Sequence, residues 1–167
     1  MFVLVRALTY ATLFIGLVLV YLPAGVLSGA GIDRPTAIGA WQVAGVIVGL
    51  AGAVLAVSCI LTFAVVGKGT PAPFDPPRRL VMLGPYRVVR NPMYLGAGFA
   101  LAGATLFYQS FELLGYLGLF LLVTHVFVIA YEEPTLRRLF GPEYDAYCAT
   151  TGRWWPSAGR KSEQVSR

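Results

Sequence analysis

Charge is what this sequence has least of. Asp, Glu, Lys and Arg make up 13% of its 167 residues, against roughly a quarter in an ordinary soluble domain. With 57% hydrophobic residues and a mean hydropathy of +0.69, that scarcity excludes a soluble globular fold and points to an integral membrane protein. Histidine occurs once and cysteine twice, and no Cys/His spacing resembles a metal site. Cys59 lies inside an apolar run and Cys148 in a polar stretch, which argues against a disulfide. The net charge of +5 is no nucleic-acid footprint, because the basic residues cluster beside apolar blocks. No segment alternates with a strand period.

What is present is apolar length. Four runs are readable: Phe2 to Leu22, Trp41 to Val66, Met93 to Phe107 and Leu113 to Tyr131. A helical span takes ~20 residues at ~1.5 Å rise each, so the third run is short. The expected fold is an all-α polytopic membrane bundle of about four transmembrane helices with short C-terminal helices on the cytoplasmic side. A cleaved signal peptide is the rival reading of the first run, but the run exceeds the usual ~7–15-residue signal core. Pro23 to Pro35 reads as a Gly/Pro-rich loop. Gly45, Gly49 and Ala53 on the second run, and Gly96, Ala100 and Ala104 on the third, are ridges of small residues that let helices approach closely. Gln109 to Glu112 reads as a tight turn, which makes runs three and four an antiparallel hairpin. Residues 1–156 read as one domain and residues 157–167 as a flexible tail. Every basic residue except Arg34 falls on the side of the Gly67–Arg90 loop and the two termini. The positive-inside rule places that side in the cytoplasm.

Two polar clusters stand out at that edge. The first is Gly84-Pro85-Tyr86-Arg87-Val88-Val89-Arg90-Asn91-Pro92-Met93-Tyr94-Leu95-Gly96. Pro92 lacks an amide hydrogen and suits a first helical turn, and Asn91 suits the N-cap position. A helix N-terminus beside Arg87 and Arg90 can hold an anionic group; it can equally be a turn whose arginines face lipid phosphates. The second is Glu132-Glu133-Pro134, which closes the fourth run. A lone pair of boundary carboxylates can be no more than a solvated helix stop. His125, seven residues before Glu132, is expected on the same helical face. Trp154-Trp155-Pro156 reads as an interfacial anchor.

Taken together, Gly-x-Tyr-x-x-x-Arg-Asn-Pro-Met-Tyr-x-Gly over Gly84 to Gly96 and Tyr-Glu-Glu-Pro over Tyr131 to Pro134 resemble the integral-membrane methyltransferases. These include isoprenylcysteine carboxyl methyltransferase and the phospholipid N-methyltransferases. Phe140-Gly141-x-Glu143-Tyr144-x-x-Tyr147 and Arg153-Trp154-x-Pro156 resemble the tail of the isoprenylcysteine branch. The resemblance implies S-adenosylmethionine as methyl donor, held within residues 67–156. It assigns donor binding to Tyr86, Arg90, Asn91, Pro92, Tyr94, Gly96, Glu132 and Glu133, with Gly67 and Gly69 as the counterpart of an upstream Gly-x-Gly. Glu133 and Arg90 are the implied catalytic pair; no metal is implied. The isoprenylcysteine enzymes carry an arginine about one turn before the glutamates, where this chain has Phe127-Val128-Ile129-Ala130. The implied acceptor is therefore left as an apolar or amphiphilic molecule, of isoprenylcysteine, phospholipid or thiol type. The alternative is a non-enzymatic assembly or interaction protein on the same scaffold. It explains the glycine ridges but not polar residues gathered at one edge of two spans.

Overall fold

The computed structural model describes residue 9, residues 12–63 and residues 79–157. Among them there is no strand, and five helices follow in order. They are α1 (Thr12–Gly29), α2 (Ala40–Thr62), α3 (Pro92–Tyr108), α4 (Phe111–Phe140) and α5 (Pro142–Thr150). A 3-10 turn, Gly84–Arg87, precedes α3. Helices α1, α2 and α4 are long and apolar enough to cross a membrane. Helix α3 has 17 residues, about 25 Å at 1.5 Å per residue, just short of a ~30 Å hydrocarbon core.

Two prolines that read as breaks lie inside continuous helices. Pro23 does not open a loop: α1 runs on to Gly29, with Pro23 buried. Pro134 likewise sits within α4. Each follows a π-helical stretch, Ile15–Tyr21 before Pro23 and Val128–Glu132 before Pro134. A wider turn makes room for the proline ring and re-routes the carbonyl that loses its N–H partner, which is how membrane helices tolerate proline.

The closest packing is between α2 and α3. A Cβ placed on Gly103 would lie 2.5 Å from the Gly49 nitrogen, and one on Gly52 would lie 2.5 Å from the Ala100 nitrogen. Gly45 and Gly96 are equally tight against the facing backbone. The contact ridge therefore reads Gly45, Gly49, Gly52 against Gly96, Ala100, Gly103. The expected third members, Ala53 and Ala104, are displaced by one residue because a helix turns in 3.6 residues rather than four. Gln42 is buried and bridges the two helices, its Nε2 donating to the Phe107 carbonyl at 3.2 Å. Gly103→Val should force the helices apart and cost about 1–3 kcal/mol or more, as overpacking does. Gly118→Ala, with nothing within 4 Å of the added methyl, should leave thermal unfolding unchanged or raise its midpoint. Melting the two variants side by side in detergent checks the ridge.

The α3–α4 hairpin closes as expected. Gln109 adopts a left-handed conformation with φ 50°, and Ser110 caps α4 by accepting from the Leu113 amide at 3.0 Å. Helix α1 rests on α4, where the Tyr116 hydroxyl donates to the Val18 carbonyl at 2.8 Å. Gly141, with φ 50°, ends α4, and Pro142 starts α5. Helix α5 then folds back so that the buried Tyr147 donates its hydroxyl to the Tyr86 carbonyl.

Candidate functional site

Three segments far apart in sequence converge at one end of the bundle: the turn leading into α3, the far end of α4, and a strap formed by residues 151–157. The strap pairs with the turn through a parallel bridge between Val89 and Gly152, in which the Arg90 amide donates to the Gly152 carbonyl at 2.9 Å. Asn91 is 6% exposed, and its Nδ2 donates to the Arg153 carbonyl at 3.2 Å. Asn91 therefore does not cap α3 through its side chain; it fastens the strap instead.

The two glutamates have different surroundings. Glu133 is buried and engaged at both oxygens. Arg153 forks onto it, Nε to Oε1 at 2.7 Å and Nη2 to Oε2 at 2.8 Å. Arg90 Nη2 donates to the same Oε1 at 3.0 Å. One carboxylate thus faces two guanidiniums, a charge-assisted fork of the strongest geometry side chains offer. The bond to Glu133 raises the pKa of the Arg153 guanidinium further, so it stays charged at any working pH. Glu132, partly buried, accepts from the Tyr94 hydroxyl at 3.0 Å through Oε2, and that bond leaves Oε1 to other donors. Adjacent on a helix, the two carboxylates point about 100° apart, which is why one meets α3 and the other meets the arginines.

The other residues singled out in the sequence fall into two groups. Arg90, Asn91, Tyr94, Glu132 and Glu133 meet around the convergence. Tyr86, Pro92 and Gly96 lie beneath it. Tyr86 is buried with Cys59 and Val81, and burial holds its phenol well above the ordinary value and uncharged. Pro92 is fully buried. A Cβ on Gly96 would lie 2.8 Å from the Ala56 nitrogen, so this glycine brings the start of α3 against α2. Gly67 and Gly69 lie outside the described residues. Arg90 Nε is buried and has no hydrogen-bond partner among the described residues.

Arg153 and Trp154 were not among the expected site residues. Trp154 Nε1 donates to His125 Nδ1 at 3.0 Å, and its ring stands edge-on to Tyr94 with centroids 6.5 Å apart. It is more than an anchor, whereas Trp155 is 82% exposed. The signal for Arg153 was the cost of Glu133: a carboxylate inside an apolar helix end requires cationic partners, and one arginine is too few for four lone-pair sites. His125 lies about 10 Å along the helix from Glu132; Trp154 and Tyr94 join them indirectly.

An all-helical bundle with three membrane-spanning lengths and a polar site at one end is an integral membrane protein. The phospholipid methyltransferase family model matches residues 41–143, and the chain belongs to that family: it is a membrane methyltransferase. The matched residues include both glutamates and the whole turn before α3; the strap with Arg153 and Trp154 lies beyond them. No individual curated protein and no solved structure gives a significant match.

Proposed function

We propose that the chain transfers a methyl group from S-adenosylmethionine to an apolar or amphiphilic acceptor at the cytoplasmic rim of the membrane. The observation that carries this reading is the meeting of the α3 entry with the far end of α4, through Tyr94–Glu132 and Arg90–Glu133, each at 3.0 Å.

The residues fit such a donor. Arg90 Nε is buried and orphaned and Arg90 immediately precedes the entry to α3, so a donor N–H and a helix N-terminus are both offered to a carboxylate. Glu132 has an oxygen left for an ammonium or ribose hydroxyl. The Tyr94 ring offers a π face to a cation. Glu133, matched to two arginines, is the brace that holds Arg90 in place rather than a direct ligand. Bound there, the donor supplies a methyl group on a sulfonium, whose neutral thioether is an excellent leaving group. The protein's share is to hold the reacting atoms in line and keep water out. A base is needed only if the acceptor must lose a proton. The positive-inside bias of the basic residues supports a cytoplasmic site and cytoplasmic termini.

The acceptor's class can be read directly. Purified protein incubated with methyl-labelled S-adenosylmethionine and a total membrane extract should place label in an organic-soluble fraction. Label that stays entirely with the donor would defeat the proposal.

A further inference from the structure

The hydrogen bond between Trp154 and His125 serves neither glutamate, yet it fixes a chemical property. An indole nitrogen can only donate. His125 Nδ1, which accepts from it, is therefore unprotonated, and the ring carries its proton on Nε2. His125 is exposed, and its Nε2–H has no partner among the described residues. It lies seven residues before Glu132, about 10 Å closer to the middle of the bilayer. An exposed polar hydrogen on a membrane-spanning helix is costly unless an acceptor reaches it. Trp154 stands between His125 and Tyr94, with ring centroids at 6.0 Å and 6.5 Å, and Tyr94 leads to Glu132. His125, Trp154 and Tyr94 thus form a continuous line of side chains that ends at Glu132. With Nδ1 accepting from Trp154, the Nε2–H is the hydrogen-bond donor this imidazole presents to a ligand.

We propose that His125, locked by Trp154 as the Nε2–H tautomer, is the specificity-determining donor of the acceptor subsite, binding an oxyanion on an amphiphile that enters from the bilayer. The word acceptor rests on the methyltransferase reading; binding of the oxyanion does not. Trp154 acts through His125 and is a positioning residue. Trp154 lies beyond the residues the family model matches, whereas His125 lies within them.

The chain has one histidine, so a 15N-histidine-labelled sample gives one pair of ring signals. In dodecyl maltoside micelles without donor, Nδ1 should resonate as unprotonated and Nε2 as protonated. Trp154→Phe, which keeps the ring and loses the N–H, should move both signals toward the tautomer average. Dodecyl phosphate should shift the Nε2–H signal saturably; dodecyltrimethylammonium and inorganic phosphate should not. A resting ring protonated on Nδ1, or an Nε2 signal indifferent to dodecyl phosphate, overturns the proposal. With the acceptor found by methyl labelling, His125→Phe should raise its KM tenfold or more while donor affinity stays constant; an unchanged KM also overturns it. A protein that answers dodecyl phosphate yet binds no S-adenosylmethionine loses the methyltransferase reading and keeps the oxyanion site.

Discussion

Glu132→Gln should weaken S-adenosylmethionine binding by about 100-fold, equivalent to about 2.7 kcal/mol, while the protein melts within a few degrees of the parent. The size follows from the charge-assisted hydrogen bond that is lost, worth about 1.5–3 kcal/mol. The fold survives because the glutamine oxygen can still accept from Tyr94, the hydrogen-bond partner of the Glu132 carboxylate among the described residues. Equilibrium dialysis with labelled donor, alongside a thermal melt in the same detergent, separates the two effects. Unchanged affinity would remove Glu132 from the site, and a collapsed melt would make it structural.

Glu133→Ala should do the reverse and strike stability. Arg90 and Arg153 would be left facing each other across an empty space, with the Arg90 side chain only 11% exposed. Removing one partner of a buried ion pair costs about 3–5 kcal/mol, because the remaining charge is left unmatched. For a chain of this length that corresponds to a melting point lower by about 10 °C or more. Helix α5 and the strap should loosen first, since Arg153 and Asn91 tie them to α4 and α3. The diagnostic is a double-mutant cycle: in the Glu133→Ala background, Arg153→Ala should cost little or even restore stability, whereas alone it should be damaging. Additive costs would mean that the two residues do not act as a unit.

The membrane class and the helical bundle were legible because composition and run length report them directly. The hairpin between α3 and α4 was legible for a local reason: Gln109 and Ser110 encode the turn by themselves. Pro23 was misread because a proline's effect depends on the turn before it, and a π-helical stretch leaves no signature in residue order. The ridge was found but misphased, since only the facing helix decides which small residues touch. The motifs singled out Arg90, Tyr94, Glu132 and Glu133, and the structure brings them together, but which glutamate meets the arginines was not readable. It depends on a 100° step around α4 and on Arg153, which arrives from the far side of α5. The strap was hidden for the same reason: a bridge between Val89 and Gly152 joins residues that no periodicity connects.

The joint use of two remote segments by one ligand is open to a direct measurement. Purified protein in detergent, irradiated with methyl-tritiated S-adenosylmethionine and digested, should yield labelled peptides from both residues 84–96 and residues 125–137. Excess unlabelled S-adenosylmethionine should abolish the labelling, and Glu132→Gln should strongly reduce it. Label confined to other parts of the chain, or labelling that excess donor does not compete away, would contradict a shared site.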